Sequence, residues 1–407
     1  MCLGHKLFSP QGTDLMSQDA HSYETSGIGF RPLALPDTGP NPLVSILMAN
    51  YNYARYLGTA IESALQQSYR NLELIVCDDG STDNSVEIAR RFVERDPRVR
   101  LIEKANGGQA SAFNAAFSES RGQILCLLDS DDAFSPEKLT AVVQLFREQK
   151  GTGLIVHPMV VIDSQDRKLQ QLPFIGTFEK GWLGPRLVRR GGRWRFMPSS
   201  CVAFRRELGA YCFPIPEPGF RTCADAFIFT MLPLVTEVGY LDQPLCQYRI
   251  HGSNIVGTRQ ISSKTVRSNR DSLVSTLDAV NVRLAALGIP VQLAAEKNIY
   301  IRMETFKYDL LTGLPFRALL RQYWKLASEI VADDLLHMKH KAGLLIANGM
   351  ALLCPVGCRA WILTRISAPS RLKYYIQKVM SGLAWILGFT RRDGPGRQIS
   401  RQTVSEL

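Results

Sequence analysis

Between residues 43 and 160 the chain alternates short apolar runs with stretches of helical periodicity. Residues 43–49, 72–77, 99–102, 123–128 and 153–157 are apolar and partly β-branched. Runs of that length read as strands covered on both faces. Between them apolar residues recur every three or four positions: Leu57, Ile61, Ala64 and Leu65; Val86, Ile88, Ala89, Phe92 and Val93; Leu139, Val142, Val143, Leu145 and Phe146. Each set is one face of an amphipathic helix. The turn Asn106-Gly107-Gly108-Gln109 leads into a further helix of small residues that contains Asn114. Strands alternating with helices predict a three-layer α/β/α domain built on a mainly parallel sheet.

The flanks differ in texture. Residues 1–42 are rich in Gly, Ser, Pro, Asp and Thr without hydrophobic period and read as a flexible segment. Pro and Gly interrupt residues 173–220, and beyond residue 255 the pattern becomes helical without strands. The expected organisation is therefore a flexible segment (1–42), an α/β domain (43–255) and a helical C-terminal region (256–407). Within the last, residues 374–389, flanked by Lys373, Lys378, Arg391 and Arg392, read either as an interfacial amphipathic helix or as an ordinary core-facing one.

Composition changes the picture in two ways. The chain has 407 residues with a formal net charge of +11, which points to an anionic partner. No nucleic-acid-binding module is recognisable, so a nucleotide-bearing metabolite or an acidic membrane surface is expected rather than nucleic acid. The 9 cysteines are odd in number and several (Cys77, Cys126, Cys201) lie inside apolar runs, as befits a reducing compartment. With no signal-like start and no apolar run near the roughly 18 residues that span a bilayer, a cytoplasmic location is expected.

Candidate chemistry concentrates where strands end. Asp129, Asp131 and Asp132 follow directly on the run 123–128. Ligands of parallel sheets bind beyond the carboxyl ends of the strands, and clustered carboxylates suit Mg2+ or Mn2+. The same residues also read as an Asp-rich loop opening the next helix, with Ser135 and Pro136 at its start. Asp225, heading the apolar stretch 226–229, reads as a helix cap, and His251 as a turn residue. The basic run Arg186, Arg189, Arg190, Arg193, Arg195, Arg205 and Arg206 is either a solvated surface or a receptor for phosphate.

Five stretches in order carry a resemblance: residues 44–52 (VSILMANYN), 63–69 (SALQQSY), 73–83 (ELIVCDDGSTD), 128–132 (LDSDD) and 248–254 (YRIHGSN). Over residues 43–255 the chain resembles the family 2 glycosyltransferases of bacterial type, which have the GT-A fold. The resemblance implies an inverting enzyme that moves a sugar from a nucleoside-diphosphate sugar to a hydroxyl of a glycan or lipid-linked acceptor. It places Ala49, Asn50, Tyr51, Asp78, Asp79, Asn106, Gly107, Asn114, Asp129 and Ser130 around the nucleotide sugar. It makes Asp131, Asp132 and His251 the holders of Mn2+ or Mg2+, and Asp225 the general base. A peripheral contact of the C-terminal helices with the inner face of the cell membrane is a further expectation.

Two positions depart from the family pattern. Phe113 stands before Asn114 where many members have Arg, and Ala224-Asp225-Ala226 lacks a second carboxylate. A non-catalytic scaffold on a degenerate transferase fold is the competing class, disfavoured by the retained carboxylates. A dinucleotide-dependent oxidoreductase is disfavoured because no Gly-X-Gly-X-X-Gly turn follows the first strand.

Overall fold

The computed structural model describes residues 29–169, 178–195, 197–252 and 261–366. Its centre is a set of apolar strands that enter the sheet in the order the chain makes them. β1 (Val44–Asn50) pairs in parallel with β2 (Leu72–Asp78), and β2 with β3 (Val99–Glu103). β4 (Ile124–Leu127) joins the other side of β1, again in parallel. The links are α1 (Ala54–Leu65), α2 (Ser85–Arg95) and α3 (Gln109–Glu119).

Beyond β4 the chain becomes less regular. β5 (Ala133–Phe134) is followed by α4 (Lys138–Glu148), β6 (Thr152–Val156), β7 (Val160–Asp163), β8 (Gly181–Trp182) and α5 (Gly184–Arg189). β9 (Val202–Arg205) runs antiparallel between β4 and β6. α6 (Gly209–Cys212), α7 (Asp225–Val235), β10 (Glu237–Tyr240) and β11 (Cys246–Ile250) complete the α/β part. The main sheet has eight strands in the order β3-β2-β1-β4-β9-β6-β10-β8, and a small second sheet has the order β5-β11-β7.

Alternate strand residues fill two cores. Ile46, Met48, Leu74, Val76, Ile124 and Cys126 pack against α1, α2 and α4, while Leu47, Ile75, Leu125 and Leu127 pack against α3 and α7. This is the α/β/α arrangement that the strand pattern predicts, and it is GT-A-like, as the resemblance implies. The antiparallel β9 was not legible, because a four-residue buried strand carries no period that reveals its direction.

The chain continues as helices: α8 (Ser263–Ala286), α9 (Ile299–Thr312), α10 (Phe316–Ala332), α11 (Met338–Leu353) and α12 (Val356–Ile366). α8 shares the core of α7 through Leu277, Val280 and Leu284, whereas α9 to α12 build a third cluster around Phe306, Leu310, Leu326 and Leu363. The basic run is divided: Arg186 and Arg189 are exposed, as a solvated surface would have them, and the others are engaged within the protein. Arg190 pairs with Glu179 and Asp334, Arg193 with Asp333, and Arg195 donates to the Leu335 carbonyl at 2.9 Å. Arg205 and Arg206 donate to the carbonyls of Pro36 and Gly122. Arg190, Arg193 and Arg195 fasten the α10–α11 junction, and Arg205 the chain before β1, to the α/β part, so these four are neither a solvated face nor a phosphate receptor.

Candidate active site

Register brings the candidate residues together. In β1 and β2 the last residues Asn50 and Asp78 stand opposite each other, and β4 ends at Leu127 opposite Leu47, so the residues just past β4 lie alongside the end of β1. Asp78 is buried and accepts from Asn50 Nδ2 at 2.7 Å and from the Ser81 amide and hydroxyl at 2.8 Å. Asn50 Oδ1 is buried without a partner. Tyr51 stands at the rim, 45% exposed. The Ser130 hydroxyl donates to the Ala49 carbonyl at 2.8 Å, tying the end of β4 to the end of β1.

Asp79 organises the next turn. Its carboxylate accepts from the amides of Gly107 (2.9 Å) and Gly108 (2.6 Å) and from Lys104 Nζ (2.8 Å). Asn106 Nδ2 donates to the Asp79 carbonyl at 2.9 Å. Gly108 has φ +94, and a Cβ there would lie 2.5 Å from Arg221 Cα, so glycine is required on both counts. Asn114 is placed differently from its expected nucleotide role. Its amide donates to and accepts from the main chain of Ile215, at 2.9 and 2.7 Å.

The Asn106–Gln109 turn in turn places Asp225. Arg221 donates to Asn106 Oδ1, the Gln109 amide donates to the Arg221 carbonyl at 2.9 Å, and Gln109 Oε1 accepts from the Ala224 amide at 2.8 Å. Asp225 thus opens α7 beside the pocket instead of capping it, since Ala224 is the N-cap. Burial lifts its carboxyl from the ordinary 3.8 to about 6, and two backbone amides at the helix start oppose the rise.

The three clustered carboxylates have separate fates. Asp129 accepts from the Ser199 hydroxyl at 2.5 Å, and its amide donates to Ser200 Oγ at 3.0 Å. Burial, then the charge of Asp131, push its carboxyl up to about 7, with Asp225 adding to the rise. Asp131 Oδ2 stands 3.0 Å from His251 Nε2, and the rings of Tyr53 and Tyr56 flank the imidazole at 5.7 and 5.0 Å. Asp132 turns inward, where Oδ1 accepts the Arg249 amide at 2.9 Å and Oδ2 is buried without a hydrogen bond. Burial first, with Cys246 and the neighbouring carboxylates next, holds its carboxyl well above the ordinary range.

Asp131 and His251 supply an oxygen and a nitrogen donor side by side, a set that fits Mn2+ and, through the carboxylate, Mg2+. Among the described residues no three His, Cys, Asp or Glu side chains converge on one point. The expected set of Asp131, Asp132 and His251 therefore does not close as three, because the Arg249 amide draws Asp132 inward. A site with two protein donors still suits an ion completed by water and substrate phosphates.

Sequence reasoning missed the supports of this cluster. Arg249, 1% exposed, donates to the Asp131 carbonyl at 2.7 Å and to Asp166 at 2.6 Å, with its guanidinium 4.8 Å from the Tyr56 ring. Lys138 is fully buried beneath the cluster and donates to the Ser200 carbonyl at 2.7 Å, which fixes the turn carrying Ser199 and Ser200. A lysine at a helix start gave no signal of burial. The pair Tyr248-Arg249 lay inside a recognised stretch, yet only the fold shows which of its side chains face the aspartates.

The chain is similar to several known proteins. The profile of Glycosyl transferase family 2 matches residues 45–210. An uncharacterized glycosyltransferase of Nostoc sp. is 32% identical over 261 residues, covering 64% of this chain and 81% of the relative. The glycosyltransferase GlyG of Streptococcus pneumoniae is 39% identical over 225 residues, covering 53% of this chain and 73% of the relative. Among solved structures, S. aureus TarS 1–349 in complex with UDP-GlcNAc aligns with a TM-score of 0.49 at 16% identity, over 83% of this chain and 92% of that one. With the profile lying on the strands that build the cleft, and a relative matched over most of its length, the chain belongs to glycosyl transferase family 2 and is a glycosyltransferase.

Proposed function

We propose that the enzyme inverts the anomeric centre of its donor sugar, with Asp225 as general base and Asp131 and His251 holding Mn2+ or Mg2+ against the donor diphosphate. The observation that carries this reading is the position of Asp225, tied through Gln109 to the turn that Asp79 organises and close enough to Asp129 for its charge to act there. When bound, the cation would neutralise negative charge developing on the leaving diphosphate.

The chain's own residues divide the remaining work. Asn50, Tyr51, Asp78 and Asp79 shape the nucleoside pocket, with the base meeting the remaining acceptor capacity of Asp79. Asp129 and Asp132 are set by Ser199, Ser200 and Arg249 and orient Asp131. The acceptor hydroxyl approaches the anomeric carbon from the side opposite the diphosphate and gives its proton to a carboxylate oxygen of Asp225 as the new C–O bond forms. The anomeric C–O bond to phosphate breaks and the nucleoside diphosphate leaves. The acceptor is a hydroxyl of a glycan or lipid-linked molecule, met in the cytoplasm at the inner face of the membrane.

Two substitutions separate these roles. Asp225→Asn is expected to lower transfer by about 10³-fold or more while leaving donor affinity within a few-fold, because only proton transfer is removed. Asp131→Asn is expected to abolish Mn2+-dependent donor binding in calorimetry. Wild-type transfer rates in Asp225→Asn would refute the base assignment.

A further inference from the structure

We infer that the outward stripe of α10 is a docking face for an anionic lipid surface. This rests on the membrane-face location proposed above and is independent of the catalytic assignments. Phe316, Trp324 and Val331 are 50%, 66% and 60% exposed. They are spaced eight and seven residues apart, which at 3.6 residues per turn places them along one side of the helix. Arg317, Arg321 and Lys325 are exposed as well, round the solvent-facing flank of the helix beyond Trp324. α11 repeats the arrangement with Met338, Ile346 and Leu353, and α12 exposes Trp361. Large exposed apolar side chains on α10 and α11 mark a contact surface.

The charges decide what that contact is. Residues 316–366 contain three acids, Glu329, Asp333 and Asp334. All three are engaged elsewhere in the protein: Glu329 pairs with Arg302, Asp333 with Arg193 and Asp334 with Arg190. The acids of this region thus hold it to the rest of the molecule, and the outward stripe keeps cations interleaved with aromatic and aliphatic groups. That is the composition of a helix lying at a membrane surface, with indole at the headgroup level and cations on anionic headgroups. A second copy of the chain fits poorly, because a two-fold contact of the stripe with itself would oppose Arg317, Arg321 and Lys325 to their own equivalents. No helix among the described residues is long and apolar enough to cross a bilayer, so the contact is one of lying on the surface.

Flotation of the full chain with vesicles tests this, using phosphatidylcholine alone or mixed with phosphatidylglycerol, in dilute and in high salt. The expected result is binding to the anionic vesicles, about tenfold weaker on neutral ones and weakened by salt. Arg321→Glu with Lys325→Glu should lower binding more than tenfold, at roughly fivefold per cation removed. Trp324→Ser should lower it several-fold by removing the indole anchor. All three positions lie outside the cleft, so donor binding and melting temperature should stay at wild-type values and separate this inference from the catalytic one. Binding to anionic vesicles that these variants leave intact overturns the assignment to α10, whether residues 367–407 or another surface then holds the lipid. Absence of vesicle binding overturns it as well, and a dimer in sedimentation that Trp324→Ser disrupts would give the face to a second copy.

Discussion

Asp225 shows most directly how a single residue is tuned. Its folded value of about 6 lies above the ordinary 3.8, because burial disfavours the carboxylate. A general base acts only when ionised, so with Asp225 in that proposed role the acid limb of the rate profile is expected near pH 6, with activity rising through it. The same shift fixes a sign for stability. Between about 4 and 6 the folded chain holds a proton that the unfolded chain has released, so stability falls as pH rises through that window. Above it the half-buried charge weighs against the fold. Asp225→Asn is therefore expected to melt higher than wild type at pH 7, by on the order of 1 kcal/mol after allowing for its partial exposure. Thermal melts at pH 5 and pH 8 check this: the variant's advantage should appear at the higher pH and shrink at the lower.

At the scale of elements, the cleft depends on one loop meeting another. The turn before α3 and the loop before α7 touch through Arg221 and Gln109, and Gly108 lets their backbones meet. Gly108→Ala would place a Cβ 2.5 Å from Arg221 Cα at φ +94. It should cost about 2 kcal/mol or more and displace both the turn held by Asp79 and the loop that carries Asp225. Chemical denaturation measures the first effect. Donor affinity and turnover measure the second, and both should fall. A variant with wild-type stability and turnover would show that the two loops are not coupled.

For the whole molecule, α8 joins the α/β part through an apolar core, whereas the α10–α11 junction joins it through a buried ion pair. Arg193 and Asp333 are 5% and 7% exposed at their side chains, and the Arg193 guanidinium lies 4.9 Å from the Tyr300 ring. Asp333 also accepts the amides of Leu335 and Leu336, at 3.0 and 2.9 Å. Asp333→Ala leaves a buried guanidinium without its carboxylate and is expected to destabilise by about 3–5 kcal/mol. Loss of donor binding should come only with unfolding, because the pair lies outside the cleft. A variant as stable as wild type would show that the joint does not depend on it.

The sequence by itself determined the sheet that builds the cleft and the identity of its acids. Buried parallel strands need continuous apolar runs, and the helices between them need one apolar face, so both patterns are written locally. The same runs end in Asn50, Asp78 and Asp129, which places polar groups at the carboxyl ends of strands before any coordinates are known. Tertiary structure decided what each group does. Asp132 turns away because an amide of β11, more than a hundred residues later, meets it. Asn114 goes to the main chain of Ile215 and the arginine run to the helical joint because their partners lie far along the chain. The face of α10 is set apart for the same reason, since only the folded protein shows its neighbouring acids paired with arginines of other segments. Periodicity records which face of an element is buried, but hydrogen bonds between distant segments leave no period to read.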